Sequence, residues 1–304
     1  MIKPSTAVLI YNPNAGRLRR RTYSKLFTIQ RELERIGIRA SVQPTAGPGD
    51  GTQLASQAVQ AGAELIIACG GDGTINEVAC GMVHSQVPLS ILPAGTANVL
   101  AREIGLPFEL EAAVRMIPAS KPRRLSLGRA GSRYFLLMAG VGFDAKVVRH
   151  VNGHAKKFLG MMTYVLQAAH QALFDAPVPF TISTEGAGYQ GTFACISKSQ
   201  HYGPIKIVRE ADLFSGQFYV YCFQSTNRFR YFSYGLAVLM GTASQLPDVC
   251  RFAATEIHCD LATPDSAPVF LQIDGEFAGQ LPCVIKVVPD ALTLLVPPGT
   301  NVPA

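Results

Sequence analysis

Between Ala7 and Ile104 the sequence repeats one unit four times: a short apolar or β-branched run, a turn, then a helical pattern. The runs are Ala7–Tyr11, Ile38–Val42, Leu65–Cys69 and Leu89–Leu92. Leu26, Ile29, Leu33 and Ile36 recur at helical spacing before Gly37, and Leu54, Ala55, Ala58 and Ala61 do so before Gly62. Further helices are expected over Thr74–Val83 and Leu100–Ile104. Few folds accept this alternation. Strands joined through helical crossovers lie parallel, with helices on both faces of the sheet. The pattern predicts an N-terminal doubly wound parallel α/β domain, with a ligand edge where the strands end.

From Leu125 the pattern changes. Apolar and aromatic runs at Tyr134–Met138, Phe180–Ser183, Thr192–Ile196, Phe218–Phe223, Phe252–Ile257 and Val269–Ile273 are separated by turn residues. They read as strands of a mostly antiparallel β-sandwich domain. Two helical stretches interrupt it: a stripe through Phe158, Met162, Val165, Ala169 and Leu173, more in keeping with core than with a lipid-binding surface, and Phe229–Met240. Two domains agree with 304 residues at roughly 150 per domain.

Charged residues are only 16% of the chain and hydrophobic ones 48%, which excludes disorder over most of it. The longest apolar run, Tyr134–Phe143, is about half of what a spanning helix needs. The opening "MIKPSTAVLIYNPNAG" meets Pro, Asn and Gly too early for a secretory signal. A net charge of +6 suits phosphorylated ligands or an anionic membrane surface. No finger spacing, basic heptad or aromatic RNA-binding signature supports a nucleic-acid partner. The seven cysteines are scattered, with no C-x-x-C pair, as in a cytoplasmic protein with core thiols.

Three turns follow the predicted parallel strands. Gly70-Gly71-Asp72-Gly73-Thr74 stands between a buried strand and a helix, where glycines permit close ligand approach and positive φ, and the helix N-terminus favours phosphate. A carboxylate there would repel a bare phosphate, so Asp72 suits a divalent ion or a reacting hydroxyl. Pro93–Asn98 repeats the design; Gly95 lets the chain turn, and Thr96 and Asn98 could each cap the helix or bind phosphate. Asn12–Gly16 follows the first strand and runs into Arg17, Arg19, Arg20 and Arg21, either a solvated helix start or a contact for phosphates or anionic lipid.

The segments "NPNAG", "GGDGTINEVACGM", "LPAGTANVLAREIG", "VGFDA" and the late "DGE" resemble the diacylglycerol kinase catalytic family, specifically the soluble bacterial lipid kinases. NAD kinases and phosphofructokinases share the "GGDG" turn, but Asn76-Glu77 followed by Gly95-Thr96-Ala97-Asn98 is similar to the lipid kinase pattern. The resemblance implies ATP- and Mg²⁺-dependent phosphorylation of a lipid hydroxyl, first diacylglycerol, in a cleft between the two domains. It implies domains over 1–124 with 289–304 and over 125–288, the last segment rejoining the first domain. It assigns nucleotide binding to Thr45, Gly70, Gly71, Asp72, Gly73, Thr74, Ile75, Asn76 and Thr96, and the general base to Glu276. Asp72 and Asp274 are the other acids able to serve metal or proton, although Asp274-Gly275 by itself reads as a hairpin turn.

The implied partner is a lipid at the inner membrane surface, met peripherally, and a homodimer is compatible with the sequence. The family pattern also implies a structural Mg²⁺ at Asp212, Ser215 and Gln217. Here Ser215 replaces the usual Asp, and Ser126 replaces another family acid, which puts that ion in doubt because a hydroxyl lacks the charge a hard cation prefers. Two other readings stay open: a soluble-substrate kinase of the NAD kinase type, and a nucleotide- or lipid-binding protein with weak catalysis.

Overall fold

The computed structural model describes residues 6–19, 22–143, 145–146, 176–203 and 205–300. The expected helix through Phe158–Leu173, Arg20, Arg21 and the Asp of "VGFDA" lie outside them. By its internal contacts the chain forms two units, Met1–Leu127 with Pro289–Ala304, and Gly128–Val288.

The first unit alternates strands and helices: β1 (Ala7–Tyr11), α1 (Thr22–Arg35), β2 (Ala40–Pro44), α2 (Asp50–Gln60), β3 (Leu65–Gly70), α3 (Asp72–Gly81), β4 (Pro88–Pro93), α4 (Val99–Glu103) and α5 (Leu110–Met116). β2, β1, β3 and β4 lie parallel in that order. β3 is buried along its whole length, as a strand covered on both faces must be. α1 buries Leu26, Ile29 and Leu33, the periodic positions. The strand expected at Ile38–Val42 begins two residues later, because Gly37 turns at φ 83° and Ile38 is used as a fully buried plug. α5, short and without a strong apolar period, has no counterpart in the sequence reading.

β5 (Lys121–Ala130) leads into the second unit, which holds β6 (Arg133–Phe135), β7 (Met138–Gly142), β8 (Phe180–Thr184), β9 (Ala187–Gly191), β10 (Phe193–Ser197), a small ribbon of β11 (His201–Tyr202) and β12 (Ile205–Lys206), β13 (Phe218–Phe223), α6 (Arg230–Met240), β14 (Val249–Ala254), β15 (Glu256–Leu261), β16 (Phe270–Ile273), β17 (Glu276–Gln280) and β18 (Cys283–Val296). β14, β13, β10, β7, β16 and β17 form one antiparallel sheet. β9, β8, β15 and the first half of β18 form the facing layer. Phe180, Ile182, Ile257 and Ile285 of that layer share one core with Val141, Ile196, Val220 and Leu271 of the other, which makes a sandwich. A second core, on the other side of the six-stranded sheet, packs Tyr221 and Phe223 against Tyr231, Tyr234 and Ala237 of α6.

β18 crosses from one unit to the other: Cys283–Lys286 pair antiparallel with β15, and Thr293 and Leu294 pair parallel with β4. Two expected strands are each split. Tyr134–Met138 breaks between β6 and β7 because the amides of Leu136 and Leu137 leave the ladder for the Asp274 carboxylate. Phe252–Ile257 straddles β14 and β15, which belong to different sheets, and Thr255 is the crossing point. None of the seven cysteines is in a disulfide, and burial pushes the Cys222 thiol up to about 12.

Candidate active site

The loops after β1, β2, β3 and β4 are stitched to one another by backbone hydrogen bonds. Thr45 N–H donates to Tyr11 O (2.9 Å), Asn12 N–H to Cys69 O (3.0 Å), Ala94 N–H to Gly70 O (2.8 Å) and Arg17 N–H to Ala94 O (3.0 Å). The expected convergence at the carboxyl edge is therefore real. Gly71 and Gly95 meet here: a Cβ on Gly95 would lie 2.5 Å from Gly71 Cα and 2.9 Å from Asn98 Oδ1. These glycines serve loop-to-loop approach. The positive φ expected of the turn is not used at Gly70, Gly71 or Gly73, with Gly71 extended at φ −86°, ψ 179°, and in the next turn Asn98 rather than Gly95 is left-handed, at φ 48°.

The polar residues of this edge divide into those that hold the loops and those that stand open. The Asn12 amide donates to Thr74 Oγ1 (3.1 Å) and its carbonyl accepts from Asn14 N–H (2.9 Å). Asn98, 1% exposed, closes its own loop by accepting from Gly95 N–H (2.8 Å) and donating to Gly95 O (3.0 Å). Ile75 is fully buried, so its side chain belongs to the core and only its backbone stands near the loop. Thr45 and Thr74 are also buried, whereas Thr96 is exposed and Gly71, Gly73, Asn76 and Gly95 are partly exposed. α3 starts at Asp72 with no side chain capping its N-terminus, which leaves first-turn N–H groups available for an anion.

Asp72 accepts from Val99 N–H (2.7 Å) at the start of α4. Burial raises its carboxyl above the ordinary range, and the N–H groups of Val99, Leu100 and Asn98 oppose that rise. Glu77, whose role the sequence did not reveal, accepts from Gly49 N–H (2.9 Å) and Gly51 N–H (3.1 Å) and so caps α2. Both acids of the "GGDGTINE" segment therefore satisfy helix N-termini.

In the second unit Asp274 and Gly275 form a two-residue hairpin between β16 and β17, with φ 46° and 80°. The Asp274 carboxylate accepts from Leu136 N–H (2.8 Å), Leu137 N–H (2.9 Å) and Met138 N–H (3.0 Å). Gln272 Oε1 accepts from Gly275 N–H (2.8 Å) and braces the other side of the turn. Asp274 is thus committed to the backbone, a role that needs no metal or proton. Glu276, next on the hairpin, is open: its side chain is 57% exposed, with Arg133 Nη2 3.6 Å away. Arg133 is held by a 2.8 Å bond to Phe277 O. At an exposed pair this attraction is weak, so the carboxylate stays free to act.

The residues at Asp212, Ser215 and Gln217 do not fit a divalent ion. Lys198 is fully buried and donates its ammonium to Ser215 O, and the Asp212 carboxylate attracts it. Asp212 Oδ1 already accepts from Phe214 N–H (2.9 Å) and Ser215 Oγ from Gln217 N–H (3.3 Å). The loop has its own cation. The only signal in the sequence was a lone lysine at the end of an apolar run. Ser126, the other departure, is buried. Among the described residues no cluster of His, Cys, Asp and Glu is arranged to hold a metal.

A family model described as "Diacylglycerol kinase catalytic domain" matches residues 6–130, and one described as "YegS C-terminal NAD kinase beta sandwich-like domain" matches residues 138–296. The diacylglycerol kinase of Bacillus subtilis (strain 168) is 29% identical over 284 residues, 91% of each chain. That of Staphylococcus carnosus (strain TM300) is 28% identical over 282 residues, 91% of this chain and 90% of the other. Two solved chains from Bacillus anthracis str. Sterne superimpose with TM-scores of 0.81 and 0.75 at 22% and 20% identity, covering 99% of this chain and 98% and 100% of theirs. That likeness is one of fold. The two family models follow each other in order and together span most of the chain, the second alone more than half, so the protein joins a diacylglycerol kinase catalytic domain to a YegS-type C-terminal domain and is a kinase of lipid hydroxyl groups.

Proposed function

We propose that the protein transfers the γ-phosphoryl group of ATP, with Mg²⁺, to the hydroxyl of diacylglycerol at the cytoplasmic face of a membrane, giving phosphatidic acid. The observation that carries this reading is the contrast on the β16–β17 hairpin, where Asp274 is tied to three amides and Glu276 is left exposed at the position the family uses for its base. A turn braced through Asp274 that carries an exposed carboxylate, paired only weakly with Arg133, suits proton abstraction, because the base is positioned without being tied to the backbone. Among the described residues no helix is long and apolar enough to cross a membrane, in keeping with peripheral contact.

The edge built by the β1, β3 and β4 loops fits a polyphosphate: an uncapped helix N-terminus, an exposed Thr96 hydroxyl and glycines that keep side chains out. When bound, Mg²⁺–ATP supplies the phosphoryl group and the counter-charge that phosphoryl transfer requires. Asp72 is the acid of that edge and would hold the ion directly or through water, while Asn12 steadies Thr74 in the first turn of α3. Glu276 takes the hydroxyl proton as the hydroxyl oxygen bonds to phosphorus and the bond to the leaving ADP oxygen breaks.

Transfer of label from [γ-³²P]ATP to a panel of diacylglycerol, phosphatidylglycerol, a sphingoid alcohol and NAD tests the proposal. Diacylglycerol is expected to be labelled fastest. Labelling of NAD and of no lipid would overturn it, and labelling of another lipid would replace only the substrate.

A further inference from the structure

α6 is apolar on both faces, and only one face is covered. Tyr231, Tyr234 and Ala237 are buried against the six-stranded sheet. The helix is pinned there by Tyr231 Oη donating to Thr192 Oγ1 (2.7 Å), Tyr234 Oη donating to Asp248 Oδ2 (2.8 Å) and Arg230 meeting both Asp248 oxygens at 2.9 Å. The opposite face carries Phe229, Phe232, Leu236, Leu239 and Met240, between 46% and 67% exposed. Ser233 is its only polar side chain. Exposed large apolar residues are usually scattered singly; here they form one continuous stripe.

Both ends of the stripe are positive. The Arg228 guanidinium lies 5.1 Å from the Phe229 ring centre, and Arg209 packs against Gly241, where a Cβ would fall 1.8 Å from its Nη2. Arg209 and Arg228 are exposed. No Asp or Glu occurs between Gln224 and Pro247. Of the acids that flank this region, Asp248 is paired with Arg230, and Glu210 with Arg251 and Tyr221.

We infer that the exposed face of α6 docks on an anionic lipid bilayer, with Phe232, Leu236, Leu239 and Met240 entering the headgroup boundary and Arg228 and Arg209 meeting lipid phosphates. An apolar helix face framed by arginines matches an interfacial helix lying in the membrane plane. A second copy of the chain fits less well, because with cations at both ends either orientation of two such helices sets like charges opposite each other. The inference rests on the lipid-kinase reading only in that such an enzyme must meet its substrate at a bilayer.

The test is sedimentation with vesicles of phosphatidylcholine, with and without phosphatidylglycerol, in the absence of ATP and diacylglycerol. Wild type is expected to bind the anionic vesicles, and the double variant Leu236→Glu, Leu239→Glu to bind them at least about tenfold more weakly, since a glutamate can neither enter the boundary nor approach anionic lipid. Both positions are exposed, so the melting temperature should hold. The chain contains no tryptophan, so Leu236→Trp is an isolated reporter whose emission should shift to the blue on anionic vesicles and be quenched by brominated lipid. Unchanged vesicle binding by the double variant, or an unshifted reporter, would overturn the docking. So would a double variant that dissociates a wild-type dimer while binding vesicles normally. If the double variant loses vesicle binding but wild type labels no lipid, the docking stands and the proposed substrate falls. If the double variant keeps turnover on dispersed short-chain diacylglycerol and loses it on vesicles, both stand.

Discussion

In the N-terminal unit the acids of the most recognisable segment point at helix N-termini: Asp72 holds α4 and Glu77 holds α2. In the C-terminal unit Asp274 holds three amides in the same manner, yet Glu276, two residues on, stands in solvent. One edge is therefore made mainly of backbone donors kept in place by acids, and the other offers a free side chain on a stiff hairpin. The difference teaches that membership of a motif does not separate an acid engaged by the backbone from one left exposed. The number of backbone N–H groups each carboxylate accepts does.

The largest effect should come from the free acid. Glu276→Gln keeps size and hydrogen-bonding reach but cannot take a proton, so kcat should fall about 10²- to 10⁴-fold, with ATP affinity and melting temperature unchanged. Asp72→Asn is the matched comparison: Asn still caps a helix well, so stability should drop by about 1 kcal/mol or less while lost charge lowers turnover. Wild-type turnover in Glu276→Gln, measured with saturating Mg²⁺, would break the division between the two edges, and wild-type turnover in Asp72→Asn would leave Asp72 with its capping role alone.

Asp274→Ala should act on stability first. Three amides lose their acceptor, and unpaired buried donors cost about 1–3 kcal/mol each before water or rearrangement compensates, so a loss of about 2–4 kcal/mol in urea unfolding is expected. A variant as stable as wild type would mean that the hairpin does not depend on Asp274.

Lys198 comes next. Burial lowers its ammonium from the ordinary 10.5 to about 8. Between those values the unfolded chain binds more protons than the folded one, so stability should rise with pH from about 8 to 10.5, by on the order of 1–3 kcal/mol. Lys198→Met should abolish that rise. Because the loop carries its own cation, EDTA should leave the melting temperature of nucleotide-free protein unchanged. A clear fall with EDTA would show that a divalent ion binds there after all.

The smallest effect concerns the anchor of α6. The Arg230 guanidinium holds the Asp248 carboxyl down at about 2, aided by the Tyr234 hydroxyl. This contribution is complete above the ordinary carboxylate range and lost as pH falls towards 2. The pair is partly exposed, so Asp248→Asn should flatten the acid arm of the stability curve by only about 0.5 kcal/mol, read by thermal melts from pH 5 to 2.

Much of the first unit was legible in the sequence because its signals are local. Helical spacing in Leu26, Ile29 and Leu33, the buried run of β3 and the glycine turns behind β3 and β4 depend on neighbours within a few residues. The second unit was less so: a continuous apolar run cannot show that Leu136 and Leu137 will turn their amides to a residue some 137 positions away.

The sequence by itself determined the alternation of strands and helices from Ala7 to Ile104, the parallel sheet with its binding edge, and the residue types able to handle phosphate and protons. Periodicity and turn chemistry are set along the chain. Only the tertiary structure decided which acids are engaged, since Asp72 meets an amide 27 residues on and Asp274 meets amides 136 to 138 residues back. It also decided that Lys198 fills the loop expected to hold a metal, and that one apolar face of α6 is covered while the other is left bare. Burial and hydrogen-bond partnership are properties of neighbours brought together by folding, and no spacing along the chain encodes them.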